Sequence, residues 1–332
     1  MRLADALRLK PGQVVAFTGA GGKSTCLRRL ATELTGELPV VLTTTTKILH
    51  DQTELASSHL IMNQPQAMVK LRRLIRTQSS ILLTGRMSAQ KKKWFGLDIA
   101  QLDKVHEIVR EAAGVLIIEA DGARGCSLKA PATHEPVIPS FADLVVPIAG
   151  LDVVGEKIDS GLVHRPECVR SLLNAEGDEP LSTRQVAAIL GARNGGLKGV
   201  PQDAEVKVRL NKALQTPRRE YGRDIAARLL ENVPRVQAIM LAEVAAQPAV
   251  VEVFVRVAGI VLAAGGSARM NQPKQLALWH GHPLIWYAVN AALDGGLSPV
   301  VVVLGAAAEE VQRSLVNLPV RFVVNSEWQA GQ

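Results

Sequence analysis

The sequence predicts an α/β fold built on parallel sheets, and three observations carry that expectation. Short apolar runs recur at 14–18, 40–45, 81–84, 115–120 and 144–148, and most of their residues are β-branched. They are apolar throughout rather than alternating, as suits strands buried on both faces of a parallel sheet. Helical patterns separate them, and two strand-like stretches open directly into glycine turns, TGAGGKST at 18–25 and GIVLAAGGSARM at 259–270. Alternating strands and helices are the signature of a doubly wound arrangement.

Taken in order, Val14–Thr18 is the first strand and 18–25 its glycine turn. The helix over Ser24–Leu34 places Leu27, Leu30, Ala31 and Leu34 on one face. Val40–Thr45, Ile81–Thr84, Val115–Ala120 and Leu144–Ile148 supply further strands. From about Leu151 the texture changes: GLVHRPECVRSLL and LSTRQVAAILG read as helices, with Ser182 or Thr183 capping the second. Ala204–Leu210 is a strand leading into Asn211-Lys212, and Val236–Ala242 another, expected to precede the last helix of this region. Near Val257 a new strand–turn–helix opening begins, followed by a helix over Leu284–Leu293 and a strand over Pro299–Leu304. The expected domains are therefore 1–255 and 256–332.

Bulk properties narrow the classes of function. With 332 residues, 47% hydrophobic and 21% charged, the chain has material for a sizeable core, and no apolar run is long enough to span a bilayer. The N-terminus lacks the long apolar centre of a signal peptide. Cys26, Cys126 and Cys168 are widely spaced and form no metal pattern, which points to a reducing compartment, the cytoplasm. Net charge is +7, with basic clusters at Lys91–Lys93 and at Arg218, Arg219 and Arg223. They are either solvated surface or an attraction for an anionic ligand such as a nucleotide. Aromatic content of 3%, with no basic patch interleaved with rings, argues against nucleic acid.

The first turn has the parts of a phosphate-binding loop. Gly19, Ala20, Gly21 and Gly22 let backbone N–H groups converge on phosphate oxygens at a helix N-terminus. Lys23 is placed to neutralise the outer phosphates, and Ser24 or Thr25 to hold Mg²⁺. The match to G-x-x-x-x-G-K-[ST] is incomplete, since Phe17 stands where the first glycine belongs. A second piece is VLIIEADGARG at 115–125, a buried strand ending in Glu119 and Asp121. Either acid suits the metal or its water; a continuing strand would send them to opposite sides, so that one reaches it. Arg124, Lys129, His134 and Glu135 then concentrate charge after the strand, as a substrate loop at the carboxyl end of the sheet would; Arg124 and Lys129 are the expected anion contacts, while His134 reads as a surface or packing residue. The four threonines and Lys47 of LTTTTKIL end another strand, as phosphate or metal ligands or simply as good strand residues.

Together GAGGKST, TTTTKI, EADGARG-SLKAP-HEPVIP, HRPE and GGLKGVP resemble the YqeC-type selenium-cofactor biosynthesis family, accessory to selenium-dependent molybdenum hydroxylases. The resemblance covers roughly residues 5–250 and implies a P-loop-like NTPase domain, binding ATP or GTP with Mg²⁺, that helps mature a molybdenum hydroxylase. VRLNKALQT at 208–216 looks like the base-reading loop N-K-x-D. Asn211 and Lys212 are present, but Leu214 replaces the aspartate, so guanine loses its bidentate partner. An ordinary strand-end Asn-Lys explains the pair equally.

GIVLAAGGSARMNQPKQL at 259–276 resembles the MobA/MocA-type molybdenum-cofactor nucleotidyltransferases. The resemblance implies a partial Rossmann-like domain acting on CTP or GTP and molybdopterin. Leu262, Ala263, Ala264, Gly265, Gly266 and Ser267 would wrap the triphosphate, and Arg269 and Lys274 would bind its phosphates as pyrophosphate leaves. That family's Mg²⁺-binding aspartate falls on a later strand, and of the acids after the loop, Asp294, Glu309, Glu310 and Glu327, only Glu327 follows a strand end. The chain is accordingly expected to be a fragment whose second domain lacks transfer activity. Two other readings stay open: a nucleotide-gated assembly switch in the first domain, and a sugar-nucleotide transferase in the second.

Overall fold

The computed structural model describes residues 1–88, 92–177, 179–267, 270 and 272–330. It divides into two compact units, Met1–Phe254 and Val255–Gln332, and both have the α/β parallel-sheet character the sequence predicts.

The first unit is built on nine strands: β1 Val14–Gly19, β2 Val40–Thr44, β3 Ser58–Ile61, β4 Ser80–Thr84, β5 Val115–Glu119, β6 Leu144–Gly150, β7 Glu205–Asn211, β8 Ala238–Ala242 and β9 Val250–Val255. Their order across the sheet is β9-β8-β7-β6-β1-β5-β2-β4-β3, and from β8 to β3 every pairing is parallel. The chain starts in the centre, builds outward through β2, returns to place β5 beside β1, then crosses to the other side with β6. That reversal beside β1 is where an open parallel sheet presents a crevice at its carboxyl ends.

Side chains alternate across the strands and give two apolar layers. Val15 and Phe17 face helices α1 (Leu3–Leu7) and α2 (Lys23–Glu33), packing with Leu27, Leu30 and Ile117. Val14 and Ala16 face the other way, toward α3 (Ala67–Leu74) and α4 (Ile99–Glu111), packing with Leu71, Leu102 and Val105. Burying a side chain such as Phe17 or Leu30 contributes about 1.5–3 kcal/mol each. Helices α5 (Pro166–Leu173), α6 (Thr183–Gly191) and α7 (Thr216–Asn232) cover β7 and β8 through Val186, Ile189, Ile225 and Leu229. Ser182 caps α6 reciprocally with Gln185, as the sequence suggested.

One expected element differs. The stretch after Ala242 forms strand β9, not a helix. Its residues VVEVFV are dominated by β-branched and aromatic types, and Pro248 lies in the turn before them, which favours a strand over a helix.

The second unit is a three-stranded parallel sheet of β10 Gly259–Ala263, β11 Val300–Leu304 and β12 Val320–Val324, in that order. Helices α8 (Leu284–Asp294) and α9 (Ala308–Ser314) cover one face, where Ile285, Val289, Val311 and Leu315 meet Ala263, Val302 and Leu304. On the opposite face Ile260 and Leu262 are 69% and 61% exposed.

Candidate nucleotide site

Between β1 and α2 the chain reverses within a few residues, and glycine makes that turn possible. Gly19, Gly21 and Gly22 have φ of +85°, +97° and +109°, where L side chains are strained. Space enforces the same choice: a Cβ on Gly19 would sit 2.3 Å from the Ile148 carbonyl oxygen, and one on Gly21 2.7 Å from the Gly150 nitrogen. Ala20, buried, donates its N–H to the Ile148 carbonyl. The loop is thus pressed onto the end of β6. No side chain caps α2, so its first amides and its positive end face the loop.

Lys23 is buried between two acids. Its Nζ donates to the Gly19 carbonyl and lies 3.1 Å from Asp121 Oδ1 and 4.0 Å from Glu119 Oε1. Glu119 Oε2 accepts from Ser24 Oγ at 3.0 Å, and Ser24 Oγ accepts from Gln52 Nε2 at 3.1 Å. Asp121 Oδ2 accepts from the Gly19 N–H at 3.0 Å. Both carboxylates therefore converge on one lysine, where a continuing strand would have separated them. The reason is local: β5 ends at Glu119, so the alternation of a strand no longer governs Asp121. Burial pushes the Glu119 carboxyl above the usual range, against the pull of Lys23 and Ser24.

Further charged side chains adjoin Asp121. Lys129 Nζ sits 3.2 Å from Asp121 Oδ2, donates to the Gly122 carbonyl at 2.8 Å, and pairs with Glu135. Arg165 Nη1 reaches Glu135 Oε1 at 2.7 Å. Burial pushes Glu135 up, but its hydrogen bonds and charge contacts with Lys129 and Arg165 outweigh this and hold it below the usual range. Residues 163–165 arrive because Val163–His164 pairs in parallel with Leu128–Lys129. Sequence reasoning gave no role to Gln52 or Arg165 and placed Glu135 in a charged substrate loop without a partner; the HRPE segment was the available signal for Arg165. Arg124 is exposed in a turn with φ of +48°. Thr25 is exposed beside the loop and His134 is exposed.

Asn211 and Lys212 stand at the end of β7 with partners inside the protein. Asn211 Nδ2 donates to the Gly21 carbonyl at 2.8 Å, while Lys212 Nζ donates to Ser127 Oγ at 2.7 Å and to Asp152 Oδ2 at 2.5 Å. Leu214 is 53% exposed. Of the threonine run, Thr43, Thr44 and Thr45 donate their hydroxyls to the carbonyls of Leu83, Glu119 and Val137, so these hydroxyls knit strand ends together. Of the basic clusters, Arg219 and Arg223 lie against Glu252, and Lys91 lies outside the described residues.

Among the described residues, no three His, Cys, Asp or Glu side chains gather as a metal cage. Mg²⁺ needs no such cage, because it keeps waters and takes one or two protein oxygens beside phosphate oxygens. Ser24 Oγ and Glu119 Oε2, 3.0 Å apart, and Asp121 Oδ1, which lies beside Lys23 Nζ but accepts no hydrogen bond among the described residues, form a hard oxygen set that fits it.

In the second unit the chain leaves β10 through Ala264, Gly265, Gly266 and Ser267. Gln275, buried, bridges this turn: its Nε2 donates to the Ala263 and Gly265 carbonyls at 2.9 and 2.7 Å. Ser267 Oγ accepts from the Lys274 N–H at 2.9 Å. A cavity of about 300 Å³ is lined by Leu262, Ala264, Gly265, Lys274, Gln275, Val303, Asn325 and Trp328. Arg269 lies outside the described residues. Asp294 ends α8, and Glu309 and Glu310 lie in the first turn of α9. Glu327 is exposed beside Trp328. Sequence reasoning did not single out Gln275, although it follows the quoted Pro-Lys directly.

Comparison with known proteins follows the same division. Residues 15–167 match the YqeC protein family, and residues 259–332 match the MobA-like NTP transferase domain. YqeC of Escherichia coli is 28% identical over 244 residues, which are 73% of this chain and 91% of that protein. Bifunctional protein GlmU of Syntrophotalea carbinolica is 43% identical over 72 residues, 21% of this chain and 16% of GlmU. Nicotine blue oxidoreductase of Paenarthrobacter nicotinovorans is 41% identical over 76 residues, 23% of this chain and 37% of that protein. The chain thus spans most of YqeC and well under half of the other two relatives. The polypeptide joins a YqeC-family domain to a MobA-like NTP transferase domain.

Proposed function

We propose that this protein serves molybdenum-cofactor maturation with two nucleotide sites. The first domain binds a nucleoside triphosphate with Mg²⁺ and hydrolyses it. The second is the nucleotide-binding part of a molybdopterin nucleotidyltransferase, a cytidylyltransferase by preference, and the product serves a selenium-dependent molybdenum hydroxylase. The observation that supports this most is the convergence of Lys23, Ser24, Glu119 and Asp121 at an uncapped helix N-terminus.

In this reading the loop amides and Lys23 take the β- and γ-phosphates, drawing Lys23 away from its carboxylates. Ser24 Oγ and Glu119 would hold Mg²⁺, which would supply positive charge against the phosphate oxygens. Asp121, released by Lys23, orients the attacking water. In the second domain the 264–267 turn and Lys274 hold the triphosphate over the cavity beside Asn325 and Trp328.

A second reading is a nucleotide-gated switch. Lys129 ties Asp121 to Glu135, and Glu135 to Arg165, so a shift of Asp121 would be felt at a segment far along the chain. Hydrolysis accelerated by a partner hydroxylase would favour it over plain turnover.

Mass spectrometry of ligands released from the purified chain, with phosphate and pyrophosphate release assays, tests the proposal. A pterin and Mg²⁺-dependent phosphate release that is lost in Lys23→Ala are expected. A sugar phosphate instead of a pterin would overturn the second-domain reading, and hydrolysis indifferent to Lys23→Ala the first.

A further inference from the structure

Arg209 lies on β7 two residues before Asn211, is completely buried, and ranks among the largest fully buried side chains of the molecule. Its surroundings do not answer its charge. Nη2 donates to the Gly21 carbonyl at 3.2 Å, while Nε and Nη1 have no hydrogen-bond partner among the described residues. The ion pairs of this region engage Lys23, Lys129 and Lys212; among the described residues Arg209 makes no ion pair, and its burial works against its charge, with Cys26 and Glu243 acting on it from farther away. A buried guanidinium left this way is costly to the fold and calls for a compensating anion.

Its position says where that anion would come from. Arg209 Nη2 and Asn211 Nδ2 both donate to the Gly21 carbonyl, the latter at 2.8 Å. The peptide unit between Gly21 and Gly22 is planar and trans, so a carbonyl held inward turns the Gly22 N–H outward, on the side away from β7. A Cβ on Gly22 would lie 3.4 Å from Arg209 Nη2 and 2.9 Å from Asn211 Nδ2, so the guanidinium packs directly beneath the loop. The α2 N-terminus adds partial positive charge at the same point.

We propose that Arg209 is the buried counter-charge of the phosphate loop: it aims the Gly22 amide at the ligand and is neutralised only when an oligophosphate occupies the loop. This rests on the nucleotide reading of the first domain and adds a positioning residue that touches no ligand atom. It also means that binding relieves an electrostatic burden in the empty protein. Two properties that normally fall together should therefore separate. Removing the charge should weaken binding while leaving the empty fold at least as stable.

The experiment compares the full chain with Arg209→Met and Arg209→Lys by thermal melting and by titration with tripolyphosphate, Mg²⁺-ATP, Mg²⁺-ADP and AMP. Binding in the second unit is common to all three proteins and cancels in the comparison. Arg209→Met should melt at or above the parent without ligand, and should lose about tenfold or more in affinity for tripolyphosphate and ATP. The loss should shrink from ATP to ADP to AMP, since it follows ligand charge, and Arg209→Lys should recover part of it. A Met variant that is unfolded or melts well below the parent overturns the proposal, as does a loss equal for all ligands or no loss at all. If the parent itself binds none of these anions, the nucleotide reading falls and takes this proposal with it. If the parent binds and Arg209→Met binds equally, only the Arg209 proposal falls.

Discussion

The two glycine turns of this chain begin alike and are supported differently. In the first unit β1 is central in a sheet covered on both faces, and its turn rests on buried charge: Lys23, Glu119, Asp121, Lys129 and Arg209 are all buried. In the second unit β10 is an edge strand of a sheet with helices packed on one face, and its turn is held by Gln275 and Ser267, which are neutral. Among the described residues lining the second cavity, only Lys274 is charged. Buried charges interact strongly because little solvent screens them. The described groups at the first turn are thus strongly interacting charges, whereas those described at the second are mainly neutral hydrogen-bonding groups beside Lys274, with Arg269 outside the described residues.

That contrast can be broken most sharply at Lys23. Lys23→Ala should reduce triphosphate affinity or hydrolysis in the first unit by about a hundredfold or more, and should destabilise the unit by up to about 3 kcal/mol, because Glu119 and Asp121 lose a shared buried cation while Asp121 keeps Lys129. Calorimetric titration and melting read the two effects, and parent-like affinity would refute the charged-site description.

Glu119→Gln should lower turnover by about a hundredfold with an opposite effect on stability. The Glu119 carboxyl is pushed up by burial, so its ionisation is less favourable in the folded than in the unfolded chain. That contribution to stability is full below the ordinary glutamate value of about 4.3 and is lost as pH rises through the elevated folded value. The Gln variant should thus gain on the parent in melting temperature as pH rises from about 4 to 8. A parent and variant whose melting profiles run parallel would contradict this.

In the second unit the expected effect is smaller, since neutral hydrogen bonds are at stake. Gln275→Ala removes two of them and should weaken CTP or GTP binding there by about tenfold, read in a Lys23→Ala background so that the first site is silent. No change would mean that the turn holds its shape without Gln275.

The smallest effect concerns base choice. With Leu214 half-exposed and Asn211 and Lys212 engaged inside the protein, ATP and GTP should compete within about tenfold of one another, because no carboxylate at 214 reads guanine. Leu214→Asp should favour GTP by a few-fold; a strong GTP preference in the parent would show that another group reads the base.

The parallel sheets were readable because buried strands leave unbroken apolar runs, and the first turn because Gly-Lys-Ser-Thr follows such a run directly. The helix expected after Ala242 failed where a short β-branched segment sits behind a proline turn. The convergence of Glu119 and Asp121 on Lys23 was hidden because it depends on the strand stopping at Glu119, a single-residue boundary that apolar pattern does not mark. Arg209 was hidden for a different reason. An arginine inside VKVRLN reads as an outward-facing residue of a half-buried strand, and the neighbours brought by β6, β8 and the loop enclose it. Arg165 depends likewise on a contact made across the fold, with Glu135, whereas Gln275 folds back on its own turn.

Cys26 follows Lys-Ser-Thr in the first turn of α2, fully buried, with burial first among the causes that push its thiol up to about 11. A thiol in that state is inert to alkylating reagents until the segment opens. Cys126 and Cys168 are half-buried and should react earlier, which makes them an internal reference. The molecule therefore carries a stopwatch for its first glycine loop: the labelling rate of Cys26 measures how often α2 lifts from the sheet. A nucleotide that clamps the loop should slow that clock, with no mutation or attached probe required.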